Sequence, residues 1–348
     1  MNFASDNTGR VHPKVMAALA AANEGNLPSY GTDAITRAAQ DRLRDVLDAP
    51  DAAVHFVSTG TAANALSLSL MAPGWGRVFC HESAHIQTSE TGAPEFFMGG
   101  GKLLLVEGEG GKMTPESFAE ALKRAGGDSV HAGQNAGLSL TNATEWGRVY
   151  QASEVAALAA AAREIGLPVH MDGARFANAV AGQNASPAEM TWRAGVDILS
   201  FGGTKNGCMG AEAVVLFDPE KSMEFEYRRK RGGHLFSKHR YLAAQMLALL
   251  DGGLWLEIAG HANTMARELA NGLSGIAGVT LDQPVESNGV FANFPVEMIE
   301  RLAEAGASFH YWPNEPEGEE SHASLRFICG WDTRPEEVEA VLSLLRQG

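Results

Sequence analysis

Lys205, in Phe201-Gly202-Gly203-Thr204-Lys205-Asn206-Gly207, and Asp172, in His170-Met171-Asp172-Gly173-Ala174-Arg175, each follow a short apolar run. An amine so placed can form a Schiff base with an aldehyde cofactor, and a carboxylate can keep a pyridine nitrogen protonated so that the ring accepts a carbanion's electrons. Those are the two requirements of pyridoxal phosphate chemistry. Singly, each residue has a plainer reading: Asp172 as the cap of a helix starting near Ala174, and Lys205 as a solvated lysine in a glycine-rich turn. Their joint position at the carboxyl ends of two expected parallel strands favours the cofactor, because open α/β sheets hold their ligands there.

Other segments supply the rest of such a site. In Val57-Ser58-Thr59-Gly60-Thr61-Ala62 a strand runs through small residues into a helix, so backbone N–H groups and the positive helix end converge near Gly60 and Thr61 as a phosphate cradle. His81-Glu82-Ser83-Ala84-His85 matches HExxH, which in a zinc hydrolase puts both histidines on one helical face. The segment follows the strand-like Val78-Phe79-Cys80 and has no third ligand at a usual spacing, so the ring of His85 is expected to stack on the cofactor instead. Arg326 interrupts the apolar run Ser324–Ile328, where a guanidinium needs an anion: a substrate carboxylate or an internal Asp or Glu. Arg175 poses the same choice. Arg229, Lys230 and Arg231 form the one dense cation cluster, either a solvated face or a counter-charge for the cofactor phosphate.

These residues need a scaffold, and the chain alternates strand-like and helical patterns up to Phe217. Strands are expected at Ala53–Val57, Val78–Cys80, Lys102–Val106, Leu138–Leu140, Val169–Met171, Ile198–Phe201 and Val214–Phe217, with helices at Ala62–Met71, Pro115–Lys123 and Ser153–Ile165. That is the pattern of βαβ units and a mostly parallel central sheet flanked by helices. Thr114, Ser153 and Ser186 read as helix caps. Beyond Arg240 come long helices at Tyr241–Leu250 and Leu254–Leu273, the second with an expected break near Gly260. Strands at Val279–Leu281, Gly289–Phe294 and Ser324–Ile328 and a helix from Pro335 to Leu345 follow. We therefore expect a large cofactor-binding domain with an N-terminal arm over residues 1–249 and a smaller α/β domain over residues 250–348.

The 348 residues carry 42 acidic against 27 basic side chains, a net charge of −15 that argues against nucleic acid or an anionic membrane as partner. The isolated Cys80, Cys208 and Cys329 form no CxxC pair, and no leader pattern opens the chain, so a cytoplasmic setting is expected.

The chain resembles the low-specificity L-threonine aldolases of the β-eliminating lyase group, which have the aspartate-aminotransferase-like α/β fold of PLP-dependent transferases. The resemblance rests on Ser5-Asp6-Asn7-Thr8, Ser29-Tyr30-Gly31-Thr32-Asp33, Thr59-Gly60-Thr61-Ala62-Ala63-Asn64, Ala84-His85, His170–Arg175, Thr204–Gly207 and Leu325-Arg326-Phe327. It implies Lys205 as the Schiff-base lysine, Asp172 at the pyridine nitrogen, His85 on the ring, and Gly60 and Thr61 at the phosphate. It further implies Ser5, Arg175 and Arg326 at the substrate carboxylate, with Tyr30 nearby. A homotetramer is implied too, with active sites at subunit interfaces where Arg229, Lys230 or Arg231 would meet a phosphate. The implied reaction is cleavage of L-threonine, L-allo-threonine and related β-hydroxy-α-amino acids to glycine and an aldehyde. One departure stands out: Thr144 occupies the place where many relatives carry a histidine facing the β-hydroxyl, which leaves His85 as the expected handler of that proton. Rival readings are cleavage of β-aryl-serines, β-elimination or racemisation with the same cofactor, and, in other classes, a zinc hydrolase on His81 and His85 or a non-catalytic binding protein.

Overall fold

The structure, a computed structural model, describes residues 1–127, 130–315 and 321–346. Seven strands form the main sheet: β1 (Ala53–Val57), β2 (Gly76–His81), β3 (Lys102–Val106), β4 (Gln134–Thr141), β5 (Val169–Gly173), β6 (Ile198–Gly202) and β7 (Glu212–Leu216), in the spatial order β1-β7-β6-β5-β4-β2-β3. Only β7 runs antiparallel to its neighbours. The short link from β6 to β7 leaves no room for a crossover helix, so the chain must turn straight back. Helices cover both faces and make β5 and β6 wholly buried, which is why those strands read as apolar runs rather than as alternating ones.

Two glycines let strand ends approach closely where ligands bind. A Cβ on Gly202 would stand 2.4 Å from the carbonyl oxygen of Ala174, and one on Gly173 would stand 2.6 Å from that of Ser200. The end of β5, which carries Asp172, and the segment after β6, which carries Lys205, therefore lie close at their backbones.

A second sheet holds β8 (Thr280–Leu281), β9 (Gly289–Pro295), β10 (His310–Tyr311) and β11 (His322–Ile328), antiparallel in the order β10-β11-β9-β8. Its core joins Phe294 and Phe327 to Leu269, Leu302 and Leu342, and also to Phe3 of the N-terminal arm. The arm binds here through Phe3 N to Ser308 O at 2.8 Å and Ile328 N to Phe3 O at 2.8 Å, so residues at the very start of the chain pack on the small sheet.

Helix Leu254–Leu273 runs unbroken through Gly260, in contrast to the expected break. A single interior glycine costs only about 1 kcal/mol, which packing on both cores offsets. The chain breaks instead at Gly252 and Gly253, with φ of +59° and +77°. The apolar stretch 240–273 is thereby divided into two helices folded into the protein core. Of the expected caps, Thr114 caps Pro115–Ala125, Gln151 rather than Ser153 caps Ala152–Glu164, and Ser186 starts only a turn.

Candidate active site

The carboxyl ends of the parallel strands and the amino end of β7 enclose a cavity of about 280 Å³ lined by Gly60, Thr61, His85, Asp172, Arg175 and Lys205, and also by Asn7, Asn64, Glu90, Glu145 and Glu212. Lys205 sits in a single helical turn, Thr204–Asn206, after β6. Its backbone is fixed on both sides: Gly203 N donates to Glu212 Oε2 at 2.9 Å, and Asn206 Nδ2 donates to Trp255 O at 2.9 Å. Burial, then the nearby Arg175 guanidinium, lower the Lys205 pKa. A lysine so placed gives up its proton more readily and becomes a nucleophile.

Asp172 is held by both oxygens, accepting Asn64 Nδ2 at 2.9 Å and Ala174 N at 2.9 Å. Asn64 spends its other amide proton on Glu90 Oε1 at 3.0 Å, and that oxygen meets His85 Nδ1 at 2.8 Å. A continuous chain of polar contacts thus links Asp172 to His85 and fixes both, while the His85 side chain stays 41% exposed. Helix Gly60–Met71 presents its amino end to the cavity, with Thr59 Oγ1 capping Ala62 N at 3.1 Å and open space where a Gly60 side chain would be. A helix N-terminus for a phosphate, a buried lysine for an aldehyde, a fixed carboxylate for a ring nitrogen and a planar side chain beside them are the groups that pyridoxal phosphate requires, and the residues fit it.

His81 and His85 do not share a helical face, so the HExxH reading fails on geometry. His81 ends β2 and bonds Gly108 O at 2.9 Å and Ser83 Oγ at 2.8 Å, while His85 opens a separate short helix.

Arg175 pairs with Asp6 in fork geometry, Nε to Oδ2 at 2.7 Å and Nη2 to Oδ1 at 3.0 Å. Burial works to raise the Asp6 carboxyl, but Arg175 and Lys205 hold it below the usual carboxylate range. Asp6 therefore stabilises the fold above its unfolded pKa of about 4, and that contribution is lost as acid protonates it. Arg175→Ala should cost about 3–5 kcal/mol near neutral pH by leaving Asp6 buried with only the Asn288 amide and the charge of Lys205 to hold it, with the deficit fading as acid protonates Asp6. Thermal unfolding against pH checks this, and an equal loss at all pH values would count against the pairing.

Arg326 lies behind this pair, half-buried over the Trp312 ring at 4.9 Å. Among the described residues its guanidinium donates one hydrogen bond, to Ala4 O at 3.3 Å, and its Nε has no partner. Burial and Arg175 pull its pKa down to about 10. A guanidinium this poorly satisfied has capacity left for an anion.

Several expected residues are placed elsewhere. Ser5 accepts Asn7 N at 3.1 Å and lines a different recess, so Asn7 rather than Ser5 reaches the cavity. Thr144 points away, donating to Gly110 O at 2.8 Å, and its neighbour Glu145 lines the cavity in its stead. Tyr30 is on the surface under Lys230 Nζ at 4.7 Å, outside the cavity wall of its own chain. Arg229 is committed internally, to Phe56 O at 3.0 Å and Glu226 at 2.8 Å, and Arg231 borders a surface groove with Phe96 and Tyr227. Asp6, Asn64, Glu90, Glu145 and Glu212 were not picked out as site residues from sequence; Asp6 and Asn64 lay within the quoted motifs, and the three glutamates carried no spacing signal.

The beta-eliminating lyase family profile matches residues 2–295. Low specificity L-threonine aldolases of Pseudomonas aeruginosa and of a Pseudomonas sp. are 44% and 42% identical over 99% of this chain and 96% of their own length. The solved threonine aldolase of Leishmania major, 28% identical, matches with a TM-score of 0.93 over 99% of this chain and 98% of its own. A serine palmitoyltransferase of Sphingomonas wittichii shares the fold at 17% identity and a TM-score of 0.73, over 99% of this chain and 86% of that one.

Proposed function

The chain belongs to the beta-eliminating lyase family, and from that premise we propose that it is a pyridoxal phosphate-dependent L-threonine aldolase, cleaving L-threonine, L-allo-threonine and related β-hydroxy-α-amino acids to glycine and an aldehyde. The observation that carries this reading is one cavity in which Lys205, Asp172, His85, Arg175 and the Gly60–Thr61 helix end converge; Arg326 does not line it, but lies near enough to Arg175 for the two charges to act on each other. When bound, the cofactor supplies an electron sink for the pair left on Cα as the Cα–Cβ bond breaks. Lys205 is the residue whose amine would hold it covalently. The negative charge of Asp172 favours a protonated ring nitrogen. Arg326, with Arg175 beside it, holds the substrate carboxylate and so sets which Cα bond lies ready to break.

Purified protein assayed with L-threonine, L-allo-threonine and β-phenylserine should release acetaldehyde or benzaldehyde with one equivalent of glycine. Pyruvate and ammonia would indicate elimination instead, and an inverted substrate would indicate racemisation. Arg326→Ala should raise KM at least about tenfold with a smaller change in kcat, as expected for a lost charge-assisted contact. An unchanged KM would remove Arg326 from carboxylate binding.

We propose further that the protein works as a homotetramer in the cytoplasm. The exposed Phe96, Met209, Met223, Tyr227 and Phe236 support an interface, and the exposed Arg231, together with the Lys230–Tyr30 pair, supports contact with a neighbouring subunit's phosphate. Three buried free cysteines support a reducing compartment. Light scattering on a sizing column checks the assembly, and a monomer would refute it.

A further inference from the structure

We propose that Glu145 is the base that takes the β-hydroxyl proton of the substrate, an assignment that rests on the aldol-cleaving reading above. Glu145 follows β4 into the cavity wall, and its Oε1 accepts the backbone N–H of His85 at 2.7 Å. Its Oε2 is shut off from solvent and has no hydrogen-bond partner among the described residues. A buried carboxylate oxygen without a donor is costly, and a substrate hydroxyl is the kind of donor that it lacks.

Two of the other acidic groups of the cavity are committed at both oxygens. Both oxygens of Asp172 accept hydrogen bonds, as do both of Glu212, from Gly203 N and Thr204 N. Glu90 also keeps one unpartnered oxygen, but its side chain is 0% exposed and its other oxygen holds Asn64 and His85. Glu145 is the less buried of the two. The groups that act on its charge are Asp172, against ionisation, and His85, in favour of it; Arg175, Cys80 and Tyr150 also feel it. Burial, then Asp172, push its carboxyl up to about 7, where it both accepts and releases a proton near neutrality. Its place in the chain adjoins Thr144, whose side chain is turned to Gly110.

In the step assigned to it, Glu145 takes the hydroxyl proton, the O–H electron pair becomes the second bond of the aldehyde C=O, and the Cα–Cβ pair stays on Cα. A proton from cavity water then adds at Cα to give glycine, and Glu145 gives up the hydroxyl proton to the water that replaces the departing aldehyde, so one proton is taken from solvent and one returned.

Glycine has no β-hydroxyl, so its α-proton exchange with heavy water uses the same cofactor, lysine and carboxylate site without this base. In the Glu145→Gln holoenzyme, kcat for L-threonine should fall at least about 100-fold while glycine exchange and the visible spectrum of the bound cofactor stay close to wild type. Infrared difference spectra of the holoenzyme across neutrality should show a titrating carboxyl band in wild type that is missing from the variant. Formate should restore cleavage to Glu145→Ala. Unchanged cleavage, which would return the role to His85, or equal loss of cleavage and exchange, which would mark a structural part, overturns the assignment. A wild-type protein that exchanges glycine protons yet cleaves no β-hydroxy amino acid would instead sink the aldolase reading itself.

Discussion

Lys205→Ala is expected to abolish the visible absorption of covalently held pyridoxal phosphate and to lower kcat at least about 10⁴-fold, the scale of losing a group on which the whole covalent sequence depends. At 1.36 kcal/mol per tenfold this is a barrier increase of more than about 5 kcal/mol. The fold should survive, because the turn that carries the lysine is held by its neighbours: Glu212 binds the Gly203 and Thr204 amides, and Asn206 binds Trp255 O. Burial already works against the charged lysine, so its removal relieves that cost while giving up the attraction of its charge for Asp6 and Glu212. Reconstitution with cofactor, dialysis and a spectrum test the attachment, and a thermal melt tests the fold. A variant that keeps both the band and turnover would show that the cofactor is anchored elsewhere.

How much of this site could be read from the sequence depended on whether a residue's position follows from its own strand. Asp172 and Lys205 end buried parallel strands, whose apolar runs mark where each chain segment leaves the sheet. The Gly60–Thr61 helix start was legible for the same reason. The Arg175–Asp6 pair was not, since it joins a loop after β5 to an arm 169 residues earlier, and no local pattern announces such a contact. Arg175 was correctly seen to need an anion, but whether that anion was internal required the fold.

The exchange of Thr144 for Glu145 has a different cause. Adjacent residues in an irregular loop face different ways, and here Thr144 Oγ1 binds Gly110 O while also accepting Arg148 N at 3.2 Å. That closed turn directs Thr144 into the protein and Glu145 toward the cavity, a result of loop closure that spacing does not encode. The helices Pro13–Ala22 and Ala34–Val46 went unassigned although a signal was present: Asp33 caps the second, accepting Thr36 N at 2.8 Å. The antiparallel course of β7 was not legible, because the strands expected from sequence lie far enough apart for a crossover and only the observed strand ends, Gly202 and Glu212, make the link short.

Asp172→Asn should lower kcat by about 10²–10³-fold, the scale seen when one preorganised electrostatic partner is removed, while the cofactor stays attached through Lys205. Both Asp172 oxygens accept protons from fixed donors, Asn64 Nδ2 and Ala174 N. An asparagine can satisfy only one of them and turns its own amide protons on the other, so about 1–3 kcal/mol of stability should go as well, too little to unfold the protein. The same substitution carries a second, separable signature. The negative charge of Asp172, after burial, is what raises the Glu145 carboxyl to about 7. Neutralising it leaves only burial opposing ionisation, so Glu145 should lose its proton at lower pH. If Glu145 must be ionised to accept the hydroxyl proton, the acid limb of the cleavage rate should move to lower pH in Asp172→Asn even as the plateau falls. A plateau as high as wild type would remove Asp172 from the electron sink. A fallen plateau with an unmoved acid limb would show that the titrating group on that limb does not feel Asp172 and is therefore not Glu145.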